Sequence, residues 1–255
     1  MQKPPDRRTP PVLFARGTSE WIARVNQKHK QLLSLGLSSE DLERLERWAE
    51  IEFVHATLSL EGLDVTRGQV ERAASAIPGQ ALDEQPQASS LLASVRTVTS
   101  LGRAKRKAAE LTAELLLNLH NVPGGELRKS EGDTSRVPKP VAPEHLPALI
   151  ESACSWYTAE SFAELNPIEQ ASIVLLRLVD LQPFDQANQR TALVAASLFT
   201  LRSELPPLII TPRLVPIYRN ALVEATRMNT KPMVEALAEA VEQSLGEMLE
   251  QRGRK

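Results

Sequence analysis

The chain is poor in the features that several protein classes depend on. It holds one cysteine, Cys154, so no internal disulfide is available and the simplest compartment is a reducing cytoplasm. No apolar run approaches the roughly 18–20 residues of a membrane span. The start of the chain, residues 1–11, carries four prolines and four charged side chains but no hydrophobic stretch, so it reads as a disordered arm over 1–17 and not as a secretory signal. Lys and Arg number 30 against 32 Asp and Glu, and a net charge of -2 leaves no global basic field for nucleic acid. The short basic run Arg103–Lys107 reads as a solvated helix face. Aromatic residues make up only 4%, and β-branched alternation is scarce.

What remains is an ordinary core-forming composition, 42% hydrophobic and 24% charged, with helical spacing nearly throughout. Leu42, Leu45, Trp48, Ile51 and Ala56 recur at steps of three to five. Ser38 and Asp41 form a capping signal ahead of them, and Gly62 marks the stop. A second helix is expected from Thr66 to Ile77, then a loop over 80–90 and a long helical region from Leu91 to His120, interrupted at Gly102. Prolines and glycines prevent a helix through 121–143, where Arg128–Val141 forms a loop or short hairpin turning at Glu131-Gly132-Asp133. Further helices follow at about 144–160, 167–181, 188–204, 212–227 and 230–249, with Pro167 and Pro212 in first turns. The fold class is all-α. A division into an N-terminal helical region (18–110) and a core (111–250) is expected.

Two of these helices are apolar on most faces: Ile168–Leu181 and Ala192–Leu201. The connection between them, Gln182-Pro-Phe-Asp-Gln-Ala-Asn-Gln-Arg190, is polar and anchored by Phe184. A polar loop held by two core helices is a natural place for a site, and the second helix directs free N–H groups at it. Asn188 and Arg190 read equally well as a helix cap and a basal charge, since asparagine is among the best N-caps.

Leu181–Leu193 resembles the Fic (Fido) motif HPFx[D/E]GNGRxxR. Other stretches resemble the same family in the same order. Leu119-His120 and Gly125-Glu-Leu-Arg128 match a helix end and the step into the flap; Ala142-Pro143-Glu144 and Asn166-Pro167 match two helix starts. Thr57-Leu-Ser-Leu-Glu61-Gly62 is similar to the inhibitory motif [S/T]xxxE[G/N]. The resemblance implies a Fic-type helical bundle with a short flap, Arg128 and Val137 included, and transfer of AMP from ATP with Mg²⁺ to a target hydroxyl.

Several chemistry-bearing positions have changed. Gln182 stands where the family has its general base, a histidine, and an amide does not titrate. Losing a positioned base slows a reaction by about 10²–10⁴. Gln186 replaces the acid that holds Mg²⁺, Ala187 and Gln189 replace the phosphate-wrapping glycines, and Leu193 replaces the second arginine. Asp185 occupies the variable position, so its side chain is expected to point elsewhere. No metal ligand set is assigned, and ATP binding is expected to be weak or absent. Glu61, without its usual arginine partner, is expected either to pair with Arg190 or to cap the site without a salt bridge. The preferred expectation is an impaired or inactive Fic-like protein that acts by binding a protein target through the flap. The alternatives are a transferase using Asp185 and Arg190 with a nonstandard donor, and a weak nucleotide-binding regulator.

Overall fold

The computed structural model describes residues 20–76, 85–104, 110–122, 126–133, 135 and 139–252, apart from the Arg252 side chain. The expected arm over 1–17, the Pro78-Gly79 stop and Val137 lie outside them. Eleven α-helices run through the described residues: α1 (Glu20–Ser34), α2 (Ser39–Leu60), α3 (Arg67–Ser75), α4 (Pro86–Arg103), α5 (Ala113–His120), α6 (Leu146–Trp156), α7 (Glu160–Ala163), α8 (Pro167–Leu181), α9 (Asn188–Leu201), α10 (Val215–Thr226) and α11 (Lys231–Arg252). No strand occurs among the described residues, those of the flap included.

Local chemistry sets the helix ends. Ser38 accepts from the Asp41 N–H while the Asp41 carboxylate reaches back to the Ser38 backbone, a reciprocal capping box. Thr66 and Gln69 repeat it at α3, and Asn166 with Glu169 repeats it at α8. Pro167 opens α8, where its missing N–H would have had no helical partner. Gly62 follows α2 at φ +80°, a conformation that a Cβ would penalise.

Four boundaries depart from the sequence reading. The polar stretch near 86–90 is already helical, because Pro86 serves as a first-turn residue and Ala88 and Leu91 are buried on the core side. The region Leu91–His120 is two helices. Gly102 does not break α4; it lies within the last turn, where a Cβ would come within 2.8 Å of Leu201 Cβ. The helix over 144–160 divides into a 3-10 turn at Pro143–His145, α6 and the short α7. Pro212 is not in a first turn: α10 begins at Val215, and Pro216 takes that position. The amphipathic α1, with only Val25 and Leu32 fully buried, carried too sparse an apolar stripe to be resolved from sequence.

The centre of the bundle is α9, buried without interruption from Thr191 to Thr200. It packs most extensively on α8, with α4 and α5 on other sides, while α11 supports α8 and holds α1 and α10. One apolar core runs from Val25 to Met248. The connection between α8 and α9 is thus anchored at both ends in the buried core.

Candidate active site

The α8–α9 connection turns through two left-handed residues, Gln182 (φ 44°) and Ala187 (φ 58°). Ala187, not Asn188, is the N-cap of α9. That corrects the capping alternative for Asn188, whose side chain instead folds back onto the loop. Its Oδ1 accepts the Phe184 N–H at 2.9 Å and its Nδ2 donates to the Phe184 carbonyl at 2.7 Å. Each end of the amide thus makes one bond to the loop backbone. Without a Cβ penalty the Ala187 position would suit glycine; with alanine it carries about 1–2 kcal/mol of backbone strain.

Beneath the loop, Phe184 is buried and stacks on the His120 ring, with centroids 3.7 Å apart and planes at 1°. The Thr191 hydroxyl donates to the Ala187 carbonyl at 2.9 Å and lies 3.0 Å from His120 Nδ1. Its single hydrogen is thereby used, so Nδ1–H is the donor to Thr191. Burial, with the nearby Arg190 charge, pushes the His120 pKa down to about 4. The His120 ring is only 5% exposed.

The position of the base is occupied by Gln182, itself buried, whose Oε1 accepts the Asp133 N–H of the flap at 3.4 Å. Asp185 is exposed, and its Oδ1 accepts from the Ser130 hydroxyl at 2.6 Å. Gln186 is exposed. Gln189 approaches the hydroxyl of Tyr218, a fully buried residue whose pKa burial pushes up to about 12. Arg128 is buried, donating to the Gln182, Ser130 and Val141 carbonyls at 2.6 Å each.

Glu61, delivered by the end of α2, enters this site from the other side. Its Oε2 lies 2.5 Å from Arg190 Nη2 and 2.8 Å from Nε, and its Oε1 accepts the Arg190 backbone N–H at 3.3 Å. Of the two arrangements expected for Glu61, the structure has the pair. The carboxylate lies at the first turn of α9, where the helix dipole favours an anion. Thr57, one turn earlier, is buried with its hydroxyl unpartnered, and its carbonyl accepts the Glu61 N–H at 3.3 Å. Gly62 has open space around it.

Mg²⁺ with a triphosphate does not fit this donor set. Magnesium needs hard anionic oxygens. At the metal-acid position stands the neutral Gln186, and Asp185 is committed to Ser130. Among the described residues no three His, Cys, Asp or Glu side chains gather to hold a metal ion. The anion position at Arg190 is filled by Glu61.

A helical bundle with a polar loop at the amino end of its central helix, a flap beside that loop and a carboxylate inserted from a preceding helix is the arrangement that the resemblance to the Fic family implies. Residues 105–200 match the Fic/DOC family. It is 26% identical over 218 residues to the protein adenylyltransferase fic-1 of Caenorhabditis elegans, covering 81% of this chain and 42% of the relative. Similarity to the protein adenylyltransferase Fic of Aedes aegypti is 24% over 233 residues, covering 87% of this chain and 46% of that one. The chain thus spans less than half the length of these relatives. Among solved structures, Fic-1 (residues 134–508) of C. elegans aligns with a TM-score of 0.75 at 25% identity, covering 90% of this chain and 70% of the other. A Fic domain containing signaling protein of Bacteroides thetaiotaomicron shares the fold, with a TM-score of 0.74 at 22% identity, covering 89% and 95%. No described helix is long and apolar enough to cross a membrane.

Proposed function

We propose that this chain is an AMP-transfer fold whose transfer chemistry is impaired or lost, and that it acts by binding a protein partner through the flap. The observation that carries this reading is the ligation of the site by the protein's own groups. Glu61 occupies Arg190 and the first turn of α9, while the Gln182 amide is turned to the flap backbone. A transferase of this design needs a titratable base beside the acceptor hydroxyl, and an amide supplies none. It also needs a cradle for phosphates, and the Asn188 amide is engaged by Phe184. The exposed polar residues of the flap, Lys129 and Ser130 among them, would present a partner-binding edge without modifying what binds there.

The transferase alternative that relies on Asp185 has less support. Its carboxylate is turned outward to Ser130 and has no path to the Arg190 side of the loop without breaking that bond. The two readings separate in one experiment. Purified protein is incubated with ATP labelled at the α-phosphate, Mg²⁺ or Mn²⁺ and a cell lysate. No labelled protein is expected; labelling that disappears in Arg190→Ala would establish the alternative. A thermal shift with nucleotide and no transfer would instead support the weak nucleotide-binding regulator.

A further inference from the structure

Arg128 is one of the largest fully buried side chains in the protein, and it is a cation. Among the described residues no carboxylate lies within ion-pair distance of it. Its guanidinium is satisfied by carbonyl oxygens alone: Nε donates to Gln182, Nη1 to Ser130, and Nη2 to Val141 at 2.6 Å and to Leu181 at 3.3 Å. Its backbone N–H donates to the Pro183 carbonyl at 2.8 Å.

These acceptors belong to three places. The Leu181 and Gln182 carbonyls are the open C-terminal end of α8, which no further turn satisfies and where the helix dipole is negative. Ser130 and Val141 are the two ends of the flap. Pro183 begins the motif loop. A buried charge is tolerable only when it is well hydrogen-bonded, and here the four guanidinium bonds require the end of α8 and both ends of the flap to hold their positions together, while the backbone N–H ties Arg128 to Pro183.

We propose that Arg128 is the positioning residue of this site: it closes the end of α8 and fastens both ends of the flap to the motif loop, so that flap and loop open as one unit. Two lesser ties act in the same sense, Ser130 to Asp185 and the Asp133 N–H to Gln182. The loop then sits between two imported charges of complementary sign, the Arg128 cation at the C-terminal end of α8 and the Glu61 carboxylate at the N-terminal end of α9. Lysine cannot take the place of the first, because one ammonium cannot reach carbonyls spread around a planar fork. The inference goes beyond the proposed function and stands whether or not nucleotide binds.

Residue-resolved amide hydrogen exchange on the intact chain tests it. In the unaltered protein the Arg128 and Phe184 amides should share one opening reaction, with the same dependence on low denaturant. Arg128→Lys should accelerate both by about tenfold or more while Val194–Leu198 in α9 stay protected. Ser130→Ala keeps the acceptors of the guanidinium and should change Phe184 exchange by less than about threefold. Distinct denaturant slopes for the two amides in the unaltered protein would overturn the proposal, a result that needs no variant to fold. So would loosening of Arg128 alone in Arg128→Lys, or equal loosening of Phe184 in Ser130→Ala.

Discussion

Glu61 and Arg190 are 129 positions apart in the chain and meet through three contacts, two from the guanidinium and one from the backbone N–H. The carboxylate lies at the amino end of the central helix, against the Arg190 side chain and backbone N–H. Both side chains are largely buried, at 15% and 12% exposure, so their pairing is less screened than the surface ion pairs elsewhere on the protein. Removing one partner leaves the other buried without its counter-charge.

Glu61→Gln should therefore lower the unfolding free energy by about 1.5–3 kcal/mol, the range for hydrogen bonds to charged groups. Equilibrium denaturation in urea with unchanged slope measures it. Arg190→Met should have an effect of similar size, and the double variant should be less destabilised than the sum of the two.

His120 gives a pH dependence of defined sign. Its folded pKa is depressed to about 4 from an ordinary 6.5, so the unfolded chain takes up a proton before the folded one does. The stabilising contribution is complete above pH 6.5 and is lost as the pH falls through the folded value of about 4, amounting to about 3 kcal/mol at roughly 1.36 kcal/mol per unit. Urea denaturation of the unaltered protein and His120→Asn at pH 7 and pH 4.5 checks this. The stability gap between them should narrow on acidification; a constant gap would show that the ring is not held neutral.

Gly102→Ala should destabilise the protein although it raises helix propensity. The new Cβ would meet Leu201 Cβ at 2.8 Å and the Leu201 carbonyl carbon at 3.1 Å, and backbone cannot retreat cheaply. Overpacking of this kind costs about 1–3 kcal/mol, more than the ~1 kcal/mol gained from leaving glycine. A fall in midpoint temperature is the expected result.

Ala187→Gly should do the opposite. Releasing a left-handed alanine recovers about 1–2 kcal/mol, of which the greater freedom of glycine in the unfolded chain takes back about 0.4–1 kcal/mol. A net gain of about 0.5 kcal/mol is expected in chemical denaturation, and Ala187→Val should lose stability by more than that.

These residues also show what sequence alone could supply. The bounds of α8 and the start of α2 were legible because capping chemistry is local: Ser38, Asp41, Asn166 and Pro167 act on amides two or three positions away. The motif loop was legible because its order of residues is unusual, and Glu61 could be connected to Arg190 only through the family resemblance. What could not be read were relationships set by tertiary packing. Gly102 looked like a helix breaker until Leu201 was placed against it. Asn188 looked like a cap because residue type says nothing about a side chain folding back four residues. The stack of His120 on Phe184 depends on α5 lying beside α9. Arg128 carried no local signal of burial at all, since its acceptors lie at Ser130, Val141 and the end of α8.

The internal ligation of the site by Glu61 and the loss of its phosphate-gripping groups are tested most directly by calorimetric titration of the purified chain with ATP and Mg²⁺. No saturable heat is expected up to ~1 mM nucleotide, a concentration that would expose any binding free energy beyond about 4 kcal/mol. Stoichiometric binding at micromolar ATP, dependent on the metal and abolished by Arg190→Ala, would contradict it.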